Sequence, residues 1–251
     1  MTVLVLGDQL TRRHGPLTAR PDDDVLMVEA TAFAERLPYH PHKLTLVFGA
    51  MRTFRDRLRD AGRTVHYVRA ETFRDGFSTY AVDHPDATLH CMRPPSHGSA
   101  DGLREAATEA GLSVEFARND LFLCDRATFD EWAEGREGYR HEDFYRMMRR
   151  ETGYLMDDSD PVGGEWNYDD QNRETPPEDW EAPPIPKFEY GETVRETESW
   201  VAERFDGGYE EQPHGGAWAD PETFRWPVTR RQAVQALDHF VTHRLPEFGE
   251  Y

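Results

Sequence analysis

Short apolar runs recur through the first 120 residues, separated by helix-patterned text, and this rhythm constrains the fold more than any other feature. The runs are Val3–Leu6, Val25–Val28, Leu44–Phe48, Thr64–Val68, Thr88–Cys91 and Ser113–Phe116. They are nearly continuous rather than alternating, which is the pattern of strands covered on both faces. Between them, Ala50–Ala61 places Met51, Phe54 and Leu58 on one helical face and stops at Gly62; Gly102–Ala110 stops at Gly111. Glycine just past the last periodic residue is a helix terminator. Strands alternating with helices imply an α/β fold, a Rossmann-like or flavodoxin-like doubly wound parallel sheet. A helical and irregular linker is expected to follow it.

The remainder changes character. His141–Met156 reads as a helix anchored by Phe144, Met147, Met148, Tyr154 and Leu155. Residues 157–227 are rich in Pro, Gly, Trp and acid, with a short helix predicted over Thr193–Phe205. Four of the six tryptophans (Trp166, Trp180, Trp200, Trp218) fall there, so this stretch should lie on a surface, since disordered linkers are poor in aromatics. Val228–Leu245 is a last amphipathic helix. The predicted division is residues 1–125 as the α/β domain, 126–227 as helical segment and acidic linker, and 228–251 as the first helix of a further helical domain.

The formal net charge is −19, but Asp157–Glu222 alone holds 20 acids and 4 bases. The α/β part is almost balanced, so the total does not exclude a nucleic-acid partner. All but two of the 29 basic residues are arginines. That composition suits a salt-adapted organism, where phosphate attraction is screened in any case. Cys91 and Cys124 lie too far apart for a CxxC site and suggest no disulfide framework. No run approaches the roughly 18 apolar residues needed to span a bilayer, and no signal peptide is read, so a cytoplasmic location without membrane contact is expected.

In an open α/β sheet, ligands sit beyond the carboxyl ends of the strands. The turns Gly7-Asp8-Gln9-Leu10, Glu29-Ala30 and Phe48-Gly49-Ala50-Met51-Arg52 are therefore expected to line one crevice. Asp8, Gln9 and Glu29 offer acceptors suited to a neutral, polyhydroxylated, ring-bearing ligand; the alternative is that Asp8 and Glu29 only cap helices. No GxGxxG or GxxxxGK[ST] is present to cradle phosphates, which disfavours a nucleotide hydrolase. His40 and His42 are too few for a metal, which takes three or four ligands, and are read as a loop leading into a strand. His66 and His90 are read as structural residues within strands. No nucleophile elbow, HExxH or carboxylate dyad occurs, so neither catalytic nor metal-binding residues are assigned. Arg146, Arg149 and Arg150 could touch phosphate or simply form a solvated helix face.

These blocks carry a resemblance. Gly7–Leu10, Glu29-Ala30, Tyr39-His40-Pro41-His42-Lys43 and Phe48–Arg52 resemble the opening of the deoxyribodipyrimidine photolyase-related family, the prokaryotic cryptochrome/photolyase group that includes the iron–sulfur bacterial (6-4) photolyases. Asp120-Leu-Phe-Leu-Cys124, Phe144–Arg150, Gly153-Tyr-Leu-Met-Asp157, Gly163-Gly-Glu-Trp-Asn-Tyr-Asp169, Asn172-Arg173, Trp226-Pro227 and Arg244–Gly249 continue it. The resemblance implies an antenna chromophore, a 6,7-dimethyl-8-ribityllumazine in some members, held at Gly7, Asp8, Gln9, Leu10, Glu29, Ala30, His42, Lys43, Phe48, Met51 and Arg52. It further implies FAD and, in several members, a 4Fe–4S cluster in a C-terminal helical domain, and UV-damaged DNA (cyclobutane or (6-4) photoproducts) as the substrate of light-driven repair. The flavin and cluster sites are expected to lie outside these 251 residues, leaving this chain inactive alone and the C-terminal FAD domain as its partner. The competing reading is a stand-alone flavodoxin-like ligand-binding module or a cryptochrome-like light-signalling one.

Overall fold

The computed structural model describes residues 1–37, 39–169, 172, 174–205 and 224–248. Trp218, Arg173 and Gly249, which entered the sequence reading, lie outside them. Two compact units are present. The first comprises residues 1–119 with 185–238, the second 120–184 with 239–251. These units do not follow the divisions expected at 125 and 227, because Glu192–Phe205 of the acidic segment packs on the helix Pro41–Asp60 of the α/β part.

The first unit opens with β1 (Thr2–Leu4), α1 (Pro16–Ala19), β2 (Asp24–Ala30), α2 (Ala32–Glu35), α3 (Pro41–Asp60) and β3 (Val65–Ala70). It continues through α4 (Phe73–Ala81), β4 (Thr88–Met92), α5 (Ser99–Glu109) and β5 (Ser113–Ala117). The five strands are parallel, in the order β3-β2-β1-β4-β5. Alternate residues of β1 and β2 supply two cores. Val3, Val25 and Met27 meet Leu44, Phe48, Met51 and Leu58 of α3, while Leu4, Leu26 and Val28 meet Phe77 and Tyr80 of α4 and Leu103 of α5. Strands covered on both faces explain the continuous apolar runs.

Five of the six expected strands form. The sixth, Leu44–Phe48, is instead the second turn of α3, and Phe48–Arg52 is helix rather than a turn after a strand. Pro41 fits the first helical turn, where its missing N–H is no loss, and the His40 imidazole caps the end by accepting from the His42 N–H. Leu44, Phe48 and Met51 face the sheet, whereas Thr45, Gly49 and Arg52 are buried on another side. That second side carries α8 (Glu192–Phe205): a Cβ on Gly49 would stand 3.9 Å from Val194 and 4.0 Å from Thr197. A helix buried on two faces has the apolar density of a strand.

In the second unit, α6 (Arg126–Ala133) and α7 (His141–Thr152) precede a two-residue hairpin, β6 (Met156–Asp157) with β7 (Asp160–Pro161). Gly153, left-handed at φ 70°, ends α7. The helix α9 (Arg230–His243) follows α8 in sequence. Among the described residues, no helix is long and apolar enough to cross a membrane.

Candidate functional site

The residues expected to hold a ligand fall into two groups, and both are largely occupied by each other. Glu29, the sixth residue of β2, is fully buried. Arg52 of α3 grips it with both arms of its guanidinium: Nε donates to Oε2 at 2.8 Å and Nη2 to Oε1 at 2.6 Å. The Tyr67 hydroxyl of β3 also donates to Oε2, and Arg69 lies 3.6 Å from Oε1. Arg52 in turn donates to Thr197 of α8 at 3.1 Å and lies 4.5 Å from the centre of the Trp200 ring. Burial works against the charge on Arg52, yet its partner Glu29 more than compensates, so the Arg52 pKa rises on balance. Burial first, then the Glu29 charge, pushes the Tyr67 phenol far above its usual range. Tyr67 and Thr197 were not anticipated. Tyr67 could have been found, because it lies two residues before Arg69, the register partner of Glu29, and so on the same face of the sheet.

The second group follows β1. Sheet order reverses between β1 and β4, the switch point where a ligand crevice is expected. Gln9 fills it. Its amide donates to the Met92 carbonyl at 2.9 Å, and the Cys91 thiol lies 3.8 Å from its Oε1. The void bounded by Val3, Val5, Gln9, Leu17 and Met92 measures about 10 Å³, far below the roughly 300–1,000 Å³ of a small-molecule site. Gly7 lets α3 approach, since a Cβ there would meet Met51 Sδ at 3.0 Å. Asp8 is exposed; Ala30, Phe48 and Met51 are buried. Lys43 stands 4.2 Å from the centre of the Tyr39 ring, and His42 packs edge-on against Phe224.

Open space lies beside this group. A cavity of about 660 Å³ is bounded by Leu10–Arg13 of the loop after β1, by Ala50, Thr53, Phe54 and Arg57 of α3, and by residues 227–230 and Ala233 at the start of α9. Arg12, Arg13, Arg57 and Arg230 give it a basic wall in an acidic chain. Thr53 Oγ1 is buried without a hydrogen-bond partner among the described residues, an unmet capacity that a bound polar group would satisfy. Of the eleven expected residues, Leu10 alone is among those bounding this cavity.

In the second unit, Arg146, Arg149 and Arg150 converge on one indole. Their guanidinium carbons stand 5.1, 5.4 and 4.8 Å from the Trp166 ring centre. Arg149 is buried and donates to the Tyr154 carbonyl at 3.3 Å, to the Tyr145 hydroxyl at 2.9 Å and to the Leu155 carbonyl. Tyr145 donates to the Trp166 carbonyl at 3.0 Å. Trp166 of the Gly-Gly-Glu-Trp-Asn-Tyr-Asp block is thus held against α7, with Arg149 among the residues that hold it. Arg150 is exposed and Arg146 half-buried.

A family model described as deoxyribodipyrimidine photo-lyase-related protein matches residues 3–212. The chain belongs to this family. It is 31% identical, over 258 aligned residues, to a (6-4) photolyase of Agrobacterium fabrum; the alignment covers 98% of this chain and 48% of that protein. The chain therefore spans about half the length of this relative. An uncharacterized protein of Acanthamoeba polyphaga mimivirus is 23% identical over 141 residues, covering 54% of this chain and 71% of that one.

Proposed function

We propose that this chain is the antenna-chromophore-binding portion of a photolyase-related protein that repairs UV-damaged DNA with light. Its family membership supports the role, and the cavity beside Leu10 is the observation that carries the binding site. Its volume of about 660 Å³ suits a two-ring chromophore with a sugar-like chain. Arg12, Arg13, Arg57 and Arg230 offer N–H donors to carbonyl and hydroxyl oxygens, and Thr53 Oγ1 needs a partner. These residues, with Leu10 and Phe54 as apolar walls, would hold a ribityllumazine. Glu29 and Arg52 would act from behind by fixing α3 and α8. When bound, the chromophore would supply absorbed light energy to a flavin. That flavin, the 4Fe–4S cluster and contact with the lesion are assigned to a C-terminal helical portion of the whole protein, which the aligned half of the relative leaves room for. The exposed Val234, Leu237 and Val241 of α9 are suited to meet further helices.

An absorption spectrum of the purified chain, with mass spectrometry of whatever denaturation releases, tests the assignment. A near-UV or violet band of lumazine-like mass, weakened in Arg57→Ala and Thr53→Val, is expected. A protein that stays colourless after incubation with the lumazine would overturn it.

A further inference from the structure

At the amino ends of the strands, the far side of the sheet from that cavity, three metal-ligand side chains converge. Asp24 opens β2, His66 is the second residue of β3, and His84 lies in the turn after α4. Their ligand atoms all lie within 4.8 Å of one another. The register explains the first pair: His66 is opposite Leu26, two residues beyond Asp24, so both side chains stand on the α4 face. His66 Nε2 is 3.0 Å from Asp24 Oδ2. Zinc–ligand bonds of about 2.0–2.1 Å place tetrahedral ligand atoms roughly 3.3 Å apart, so the pair needs little movement to share an ion.

His84 is oriented for the same task. Its Nδ1 lies 3.2 Å from the Tyr80 carbonyl. As donor to that carbonyl, Nδ1 leaves Nε2 with the lone pair, the arrangement by which a backbone carbonyl fixes a ligating imidazole. The ring is further held by stacking on Tyr80, 4.1 Å between centres at 4°, and by the edge of His66 at 4.6 Å. Tyr80 is itself pinned by a 2.7 Å hydrogen bond to Thr2 Oγ1. The side chains of His66 and Asp24 retain 28% and 41% of their exposure, so an ion can enter and keep a water ligand.

We infer that Asp24, His66 and His84 form a site for a divalent transition-metal ion, with zinc the best fit and water completing the shell. Two imidazoles and one carboxylate suit zinc, cobalt or iron(II) over calcium or magnesium, which prefer all-oxygen shells. The ion would tie β2 and β3 to the end of α4. This departs from the expectation of no metal, which rested on the lack of a ligand motif, and of a structural His66, which rested on its place within a strand; 24, 66 and 84 share no spacing motif.

Cobalt(II) is the probe. The chelator-stripped chain should take up one equivalent, develop the intense visible d–d absorption of four- or five-coordinate cobalt, and lose it when zinc is added. His66→Gln and His84→Gln should each abolish the band, weakening binding by more than the roughly 10–100-fold that outer-shell partners cost. The variant His239→Gln/His243→Gln, which removes the adjoining His239 and His243 rings of α9, should retain it. Wild-type protein with only the weak spectrum of octahedral cobalt would overturn the site, as would a band that survives His84→Gln. His84 lies outside every strand and helix, so its variant decides the matter even if His66→Gln disturbs the sheet.

Discussion

Arg52 and Glu29 form a bidentate ion pair sealed inside the first unit, with side-chain exposures of 4% and 0%. Each is the other's principal partner, so removing one leaves a buried charge uncompensated. Glu29→Ala should lower the unfolding free energy by about 3–5 kcal/mol, read from urea denaturation. Replacing both together, Glu29→Leu with Arg52→Met, should recover at least half of that, because apolar residues of similar volume tolerate burial better than one orphaned ion. Equal losses in the single and double variants would contradict the coupling. A loss of chromophore in Glu29→Ala would thus report instability, which is why the binding test uses Arg57 and Thr53.

Two weak acids of the first unit set an alkaline limit. Burial, with a smaller contribution from Asp8, pushes the Cys91 thiol from 9.0 up to about 12, and Tyr67 is raised from 10.0 by burial and Glu29. Both groups are held neutral in the fold but ionise in the unfolded chain at about 9 and 10. Their stabilisation is therefore complete below about pH 9 and is lost as pH rises toward the folded values. The urea midpoint should be flat between about pH 7 and 8.5 and fall above 9. Cys91→Ala/Tyr67→Phe should start lower but fall less steeply; an unchanged slope would place the titrating groups elsewhere.

What the sequence disclosed follows from what each element touches. Strands covered on both faces are continuous apolar runs, so five were readable. Leu44–Phe48 reads the same way because α3 meets the sheet on one side and α8 on another; Pro41 at its first position was the clue to helix. Glu29 was recognisable as an acid at a strand end, but its engagement was not. Arg52 reaches it only in helical phase, and Thr197 joins from 145 residues away. The cavity was missed for a related reason. Arg12, Thr53 and Arg230 belong to three segments that only the packing of α3 and α9 brings together.

Arg149 and Arg150, adjacent in sequence, should behave oppositely. Arg149 is buried with donors on the Tyr154 and Leu155 carbonyls, and hydrogen bonds from a charged group contribute about 1.5–3 kcal/mol each. Arg149→Ala should destabilise the second unit, seen as early loss of the Trp166 environment in fluorescence during denaturant titration. Arg150→Ala removes one exposed cation–π contact and should shift the midpoint little. If the whole protein binds DNA through this face, Arg150→Ala should instead reduce the salt slope of binding by about 1.

Gly76 lets α4 approach Val28 of the sheet closely. A Cβ on Gly76 would stand 2.5 Å from Val28 Cγ1 and 3.1 Å from Cγ2. In an exposed helix, alanine for glycine gains about 1 kcal/mol. Here the clash outweighs that gain, because Val28 is buried at 2% exposure and a β-branched side chain has few alternative rotamers. Gly76→Ala should therefore cost about 1–3 kcal/mol net. Val28→Ala alone opens a cavity and also destabilises. Together the two should cost less than their sum, since the new methyl enters the space that Val28 vacates. A coupling of at least about 0.5 kcal/mol in the double-mutant cycle is expected, and strict additivity would show that α4 shifts away from β2 instead.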